Sequence, residues 1–364
     1  MTTQASTIAQ PGAAPRPSGW SRFRDRLTIL REELHFLSAR KIYNLAMQQI
    51  APALGLVRLP YAPTKITVES GNVCNLRCPL CPTGQLDKSA TKGMLPYETF
   101  EKILDQMGRD LITVRLYNWG EPLLNKDLIR MCELAYARGV SVKISTHLND
   151  LTPALAEGLL RAKVKKIYIS ADGATPESYA IYRRGGNFER VMSNIRMLVA
   201  KKREMGATFT RIYWLFHVFS HNEHEVPILR ERARELGVEL QLNVARTDMG
   251  KEIFENAHTA LERDGHWLPK SDEYCAYDRE SETAQREPMC HLPWQDTAIN
   301  WDGKVLACCS VYDEKHHYGS IHDADFRDIW NGKMYVEARR EILGRGPTES
   351  TICKTCKANG YLFT

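Results

Sequence analysis

Residues 64–245 alternate between short apolar runs and longer amphipathic runs, and this alternation limits the possible fold more than any other feature of the sequence. The short runs are rich in β-branched and aromatic residues, which predicts strands, whereas the longer runs have the period of helices. Strands that alternate with helices form a parallel sheet with helical crossovers. The predicted strands are Lys65–Ser70, Leu111–Asn118, Ser141–Thr146, Lys166–Ala171, Phe209–Val218 and Val238–Val244.

The predicted helices lie between these strands, over Tyr97–Met107, Lys126–Arg138, Thr152–Arg161, Asn187–Arg203 and Glu223–Leu236. Six strand–helix units are too few to close an eight-stranded barrel. We therefore predict an α/β fold built on an open, partial (β/α)6 barrel of the TIM type. Catalytic groups in such folds lie at the C-terminal ends of the strands.

Composition indicates a soluble globular protein of about two domains. Of the 364 residues, 43% are hydrophobic and 26% are charged, and the net charge of +5 does not call for a nucleic-acid partner. The ten cysteines occur mostly in groups, which indicates metal ligation in a reducing compartment instead of a disulfide framework. Residues 1–20 lack the apolar run of a signal peptide or a membrane span, so we predict a disordered tail and a cytoplasmic location.

The remaining segments flank the barrel predicted for residues 61–245. In the helical segment predicted for residues 21–60, one face combines five apolar side chains, Phe23, Leu27, Leu30, Leu34 and Leu37. Basic residues surround this face, so the amphipathic helix either packs on the main domain or docks on a membrane surface or a partner. Residues 246–289 are polar and are predicted to be a linker, and residues 290–364 form a compact cysteine-bearing module.

Three cysteines follow the first predicted strand within eight residues, as Cys74, Cys78 and Cys81. Thiolates with this C-x3-C-x2-C spacing can hold three irons of a [4Fe–4S] cube and leave the fourth iron open to a ligand. A structural zinc site is the alternative, but zinc normally takes a fourth protein ligand, and no suitable residue follows nearby. The loop therefore predicts a cluster that activates a bound ligand.

Polar motifs follow the next three strands. The second strand runs into Tyr117-Asn-Trp-Gly-Glu-Pro122, in which Glu121 can pair with an ammonium group and Gly120 allows a close backbone approach. The third ends with His147, which is either a hydrogen-bonding group or a proton acceptor near the substrate. The fourth ends with Ser170 and Asp172. Tyr117 and His147 are the catalytic candidates.

The C-terminal module carries a second set of cysteines, Cys290, Cys308, Cys353 and Cys356, with Cys309 as a predicted buried neighbour of the set. Four thiolates suit either a second iron–sulfur cluster or a structural zinc ion. Cys132 and Cys275 are predicted to be structural.

Together these motifs resemble the radical S-adenosylmethionine (SAM) superfamily, with a C-terminal auxiliary module of the SPASM or shortened twitch type. The resemblance covers about residues 64–356. It implies a SAM-binding [4Fe–4S] cluster on the first three cysteines and an auxiliary [4Fe–4S] cluster on the C-terminal four. It also implies that SAM is bound by Gly120, Glu121, Ser170, Asp172 and one of Arg183 and Arg184, of which we favour Arg184.

The implied reaction is reductive cleavage of SAM to a 5′-deoxyadenosyl radical, which removes a hydrogen atom from the substrate. The second cluster suggests oxidation or bond formation on a small polar metabolite, with the auxiliary cluster as electron acceptor. Modification of a peptide or protein, or of a membrane-associated lipid or glycan, is the alternative. A non-catalytic iron–sulfur electron carrier or scaffold is an alternative of another class. The implied partners are SAM, the substrate and an electron donor of the flavodoxin or ferredoxin type.

Overall fold

The computed structural model describes residues 34–244, 262–275, 277–278, 283–284, 289–346 and 351–359. Six parallel strands form its centre and follow one another across the sheet in chain order. They are β1 (Lys65–Val68), β2 (Thr113–Arg115), β3 (Ser141–Thr146), β4 (Lys166–Ser170), β5 (Arg211–Val218) and β6 (Glu239–Val244). The predicted α/β architecture with an open, partial barrel is confirmed.

Helices connect the strands and cover one face of the sheet. They are α2 (Tyr97–Met107), α3 (Leu128–Ala137), α4 (Pro153–Arg161), α5 (Pro176–Tyr182), α6 (Phe188–Glu204) and α7 (Val226–Leu236). Alternate strand residues such as Val114, Ile144 and Ile167 are fully buried beneath them. Local signals set the helix ends, since Thr152 and Asn187 each accept a backbone N–H as N-caps, and Gly237 ends α7 in a left-handed conformation.

One predicted strand is much shorter than expected. The apolar run Leu111–Asn118 forms a strand only over Thr113–Arg115, although the Leu116 N–H still donates to the Lys143 carbonyl at 2.9 Å. Beyond that bond the chain leaves the sheet for the loop that carries Glu121. The apolar composition of this run indicates that it enters the core, but it does not indicate where its hydrogen bonding to the neighbouring strand stops.

The C-terminal segment extends the same sheet. Strand β9 (Ala298–Ile299) pairs with β1 in parallel, and β10 (Lys304–Leu306) and β11 (Gly319–Ser320) continue in antiparallel fashion. Within the described residues this sheet has nine strands. Four helices accompany them, α8 (Leu292–Gln295), α9 (Phe326–Trp330), α10 (Lys333–Ile342) and α11 (Ile352–Asn359). The module predicted from residue 290 onward is therefore joined to the barrel through main-chain hydrogen bonds.

The first described helix, α1 (Ala39–Ala53), packs on the outside of the barrel. Its Arg40 and Asn44 both bond to the carboxylate of Asp110, which also receives Arg327 from α9. The pKa of Asp110 is lowered, because these three donors outweigh the effect of its burial. Most of the predicted apolar face lies outside the described residues, and Leu34 lies in a short 3-10 turn, Leu34–Phe36.

The predicted linker lies mostly outside the described residues. Its described part contains the short antiparallel pair β7 (Tyr277–Asp278) and β8 (Thr283–Ala284). None of the described helices is long and apolar enough to cross a membrane. The domain boundaries given above remain predictions.

Candidate active site

The cluster loop begins after β1 and brings its three cysteines together. The Cys81 N–H donates to the Cys78 carbonyl, and the Leu76 N–H points at the Cys74 sulfur at 3.4 Å. Burial raises the pKa of Cys74 to about 12 and that of Cys78 to about 11, and the neighbouring thiols raise both further. Buried thiols of this kind ionise when a cation compensates their charge, as iron does.

Two glycines allow the backbone to pack tightly around this loop. A Cβ on Gly120 would lie 2.0 Å from the Gly71 carbonyl oxygen, and a Cβ on Gly84 would lie 2.5 Å from the Cys78 carbonyl oxygen. Both contacts are with backbone atoms, which cannot move aside as easily as the end of a flexible side chain. Gly120 was predicted from its motif. Gly84 was missed, and its only signal is the Pro-Thr-Gly sequence that follows Cys81.

Glu121 lies 2% exposed between the second and third strand ends. Its carboxylate accepts hydrogen bonds from the Thr146 hydroxyl at 2.6 Å, the Leu123 N–H at 3.0 Å and the His147 N–H at 2.9 Å. The carboxylate is thus held by protein donors. That it binds the ammonium group of SAM remains a prediction.

His147 connects this carboxylate to the cluster loop. Its Nδ1 accepts the Asn149 N–H, so the neutral ring carries its proton on Nε2, which lies 2.9 Å from the Asn75 side-chain oxygen and 3.2 Å from Glu121. Asn75 stands between Cys74 and Cys78. These contacts are all with protein groups, and both roles predicted for His147 stay predictions.

Asp172 is fully buried at the end of β4. It accepts the Arg183 Nε–H at 2.6 Å and the His217 N–H at 2.7 Å. Burial alone would raise the pKa of Asp172, but Arg183 and His217 lower it to about 2. Ser170, beside it, bonds to Ser145 at 3.1 Å.

The structure places Arg183 and Arg184 differently, and the predicted contact of Arg184 with SAM stays a prediction. Arg183 is the guanidinium beside the cluster loop, with Nη1 at 3.8 Å from the Cys78 sulfur. The Arg184 side chain is exposed and turns back to the Ile181 carbonyl, because helix α5 ends at Tyr182 and the chain reverses there. Only the Arg184 carbonyl reaches the cluster loop, where it accepts the Arg77 N–H at 2.8 Å.

Tyr117 lies inside the barrel, where burial raises its pKa and the nearby Arg115 lowers it in part. The Cys309 thiol is close enough to affect the pKa values of both Tyr117 and Arg115. Cys309 is half-buried, whereas the sequence predicted a buried residue. Arg115 also forms an ion pair with Asp296, which precedes β9. Residues of the C-terminal module therefore contribute to the barrel interior.

The four predicted C-terminal ligands line one small pocket that is partly open to solvent. The remaining lining residues are apolar: Leu292, Pro293, Ala307, Val311, Ile342 and Ile352. Burial raises the pKa of Cys353 to about 12 and that of Cys308 well above its usual range. Thiols around an apolar space fit a [4Fe–4S] cube, whose potential depends on such surroundings.

Across the described residues, no group of three or more His, Cys, Asp and Glu side chains converges closely enough to hold a single metal ion. This finding is compatible with both cysteine sets, because a cube keeps its ligand sulfurs further apart than one ion does. Such a cube would be held by Cys290, which precedes α8, by Cys308, which follows β10, and by Cys353 and Cys356 of α11.

Two family models match the chain. The radical SAM superfamily matches residues 68–226, and the SPASM iron–sulfur cluster-binding domain matches residues 290–357. These ranges contain both cysteine sets described above. The chain belongs to the radical SAM superfamily and carries a C-terminal SPASM domain. It is an enzyme that uses SAM, a SAM-binding [4Fe–4S] cluster and an auxiliary [4Fe–4S] cluster.

Named relatives cover most of the chain. An AdoMet-dependent heme synthase of Methanosarcina barkeri is 27% identical over 343 residues, which span 85% of this chain and 95% of that protein. Mycofactocin maturase MftC of Mycobacterium tuberculosis is 24% identical over 81% of this chain and 76% of its own length. The crystal structure of Streptococcus suis SuiB bound to S-adenosylmethionine has the same fold, with a TM-score of 0.59 and 14% identity over 88% of this chain and 79% of SuiB.

Proposed function

We propose that this radical SAM enzyme carries out a net oxidation or a bond formation on a small polar molecule bound inside the barrel. The observation that carries the proposal is the placement of the second cysteine set. Its domain is joined to β1, the strand that leads into the first set, and it contributes Asp296 and Cys309 to the barrel interior. When bound, SAM and the clusters would supply one-electron chemistry at a C–H bond.

The protein's own residues hold and enclose the reactants. The cluster loop is fixed by Gly84 and by the contact between Asn75 and His147, which keeps its cysteines in one arrangement. The buried carboxylates of Glu121 and Asp172 hold the loops at the strand ends in place. Groups held in fixed positions favour reaction between two bound molecules.

Anaerobically reconstituted protein, given SAM, a reductant and candidate substrates, tests this proposal. We expect deoxyadenosine to accumulate with product. Replacing Cys353 and Cys356 by Ala should lower iron and sulfide by about half, as expected for one of two cubes, and should abolish product. Cys132→Ala, which changes a buried cysteine of α3, is the control. SAM regenerated at turnover without net deoxyadenosine would contradict a net oxidation.

A second candidate is modification of a peptide, because SuiB, which shares this fold over most of the chain, has been solved bound to its precursor peptide SuiA. If the substrate is a peptide, the reaction changes the mass of that peptide, and the candidate small molecules yield no product. The flavodoxin or ferredoxin donor and the membrane contact stay predictions.

A further inference from the structure

Among the described residues of the SPASM domain, Arg339 on helix α10 is the cation that the fold buries. Its side chain is 0% exposed, although an arginine is rarely buried without a partner of opposite charge. The guanidinium instead donates to three main-chain carbonyls, those of Pro293, Val57 and Trp330, each at 2.9 Å. It forms no ion pair with the described carboxylates, and its Nη2 has no hydrogen-bond partner among the described residues. The positive charge of Arg339 is therefore not neutralised by an acidic side chain of the described residues.

The Arg339 guanidinium lies behind one wall of the pocket that the four predicted C-terminal ligands line. Pro293, whose carbonyl accepts the Arg339 Nε–H, is part of that wall. So is Ile342, which follows Arg339 by three residues on α10. Apart from its cysteines, the described lining of the pocket is apolar. A charge beside such a region is screened less than a charge at the protein surface.

Aromatic rings connect Arg339 to one of the cysteines. The guanidinium carbon lies 5.2 Å from the ring centroid of Tyr335, and this ring contacts Tyr318 edge-on with 4.9 Å between centroids. The Tyr318 hydroxyl lies 3.5 Å from the Cys353 sulfur. Burial lowers the pKa of Arg339 to about 10, and Cys353 is among the groups near enough to oppose this effect. The guanidinium is therefore charged at neutral pH and lies within electrostatic range of Cys353.

The other charged groups near Cys353 differ from Arg339 in sign or in exposure. Glu341 is buried and accepts the Thr351 N–H at 3.2 Å, and its negative charge, after burial, helps to raise the pKa of Cys353. Lys357 is exposed and donates to the main-chain carbonyl of Glu341. A carboxylate opposes the addition of negative charge nearby, and an exposed ammonium group is screened by solvent. The buried positive charge beside this cysteine set thus comes from Arg339.

An iron–sulfur cluster gains one negative charge when it accepts an electron, and its potential depends on the charge, hydrogen bonding and burial around it. We propose that Arg339 raises the reduction potential of the auxiliary cluster and so makes this cluster a better electron acceptor. A buried cation stabilises the reduced form, which has the larger negative charge, more than the oxidised form. The inference rests on the proposed function, because it names a residue that prepares the auxiliary cluster for the electron that a net oxidation releases.

A redox titration of the auxiliary cluster, followed by electron paramagnetic resonance, tests this role. The full chain is used with Cys74→Ala/Cys78→Ala/Cys81→Ala, so that only the C-terminal set holds a cluster. In this parent, Arg339→Gln should lower the potential by at least about 59 mV, which is a tenfold change in the equilibrium constant of a one-electron couple. Arg340→Gln is the matched control. It removes the adjacent charge on the same helix, whose side chain is 40% exposed, and should leave the potential unchanged.

Two further variants separate the charge of Arg339 from its structural contacts. Arg339→Lys retains the charge but not the forked donor, and it should retain the potential of the parent near pH 6. Asn331→Ala removes an uncharged tether that exchanges two hydrogen bonds with the main chain of Leu59. It should leave the potential unchanged even where it lowers the unfolding midpoint, because no charge is lost.

Arg339→Lys also provides the measurement if Arg339→Gln fails to retain its iron. A buried lysine loses its proton far more readily than an arginine, so the potential of this variant should fall as the pH rises from about 6 to about 9, whereas that of the parent should not. Besides Cys353, the ionisable groups that face Arg339 are Tyr61, Tyr318 and Tyr335. Burial raises the pKa of all three tyrosines, so they do not ionise in this range.

Several outcomes would overturn the inference. They are an unchanged potential in Arg339→Gln, an equal fall in Arg340→Gln or Asn331→Ala, and equal potentials in Arg339→Gln and Arg339→Lys near pH 6. Where Arg339→Gln loses its iron, a potential of Arg339→Lys that does not change with pH would do the same. Deoxyadenosine and product are measured separately with the chain that has both cysteine sets, so failure of the proposed function is recognised by itself.

Discussion

Loss of the Arg183 side chain should destabilise the barrel strongly. Asp172 is fully buried, and Arg183 supplies its charge partner at 2.6 Å. In an Arg183→Met variant the carboxylate keeps only the donors of His217. Breaking one side of a buried ion pair costs about 3–5 kcal/mol, because the remaining charge is left in a poor solvent.

Thermal unfolding of the reconstituted protein measures this cost. A change of 1 kcal/mol corresponds to about 2–4 °C for a unit of 150–250 residues, so we expect the midpoint to fall by at least about 6 °C. Replacing both partners, as Arg183→Met/Asp172→Leu, should recover most of the loss, since apolar residues can substitute for a buried pair. A single variant within about 2 °C of wild type, or a double variant as unstable as the single one, would refute this reasoning.

The same pair predicts a pH dependence. The pKa of Asp172 is lowered from 3.8 to about 2, which corresponds to about 2 kcal/mol of stability at neutral pH. For a lowered carboxyl pKa, that stability is present above the unfolded value and is lost as the pH falls from about 4 to about 2. The wild type should therefore approach the Arg183→Met variant in stability over this range, as followed by midpoints across pH.

Three further variants test other parts of the structure. Gly120→Ala should prevent SAM binding in an equilibrium assay, because its Cβ would overlap the Gly71 backbone, whereas Gly265→Ala, which meets nothing within 4 Å, should bind normally. Burial raises the pKa of Glu69 from 4.5 to about 7, so its stabilising contribution is present below pH 4.5 and is lost as the pH rises to about 7. Glu69→Gln should accordingly raise the unfolding midpoint at pH 8 but not at pH 4.5; an equal effect at both would contradict this. Asp110→Asn should cost about 1–3 kcal/mol by weakening its contacts with two helices, and an unchanged midpoint would argue against that role.

Much of the architecture was predictable because its signals are local. The strands were found from short apolar runs, and the helices from their period, as with Tyr97–Met107 and Ser141–Thr146, whose bounds agree with the structure. The motif of the cluster loop could be recognised for the same reason, since Cys74, Cys78 and Cys81 lie within eight residues. Local chemistry fixes such elements before any tertiary contact does.

The unpredicted features depend on contacts between distant residues. Arg183 and Arg184 are adjacent and alike in type, and only the end of α5 decides which one meets Asp172. The pairing of β9 with β1 joins segments separated by more than half of the chain. A single sequence does not show which residues of distant segments pair with each other. The pairing that joins the SPASM domain to the barrel could therefore not be predicted.

The contacts of the buried Glu121 carboxylate change how variants of this site must be interpreted. Glu121 is held by Thr146 and His147, and His147 also holds Asn75 of the cluster loop. In Glu121→Gln the new amide group would face N–H and O–H donors, leaving one or more unsatisfied at about 1–3 kcal/mol each. We therefore expect iron content and SAM affinity to fall together, because the loop itself loses its support. A variant with full iron content but weak SAM binding would instead indicate that Glu121 contacts SAM directly.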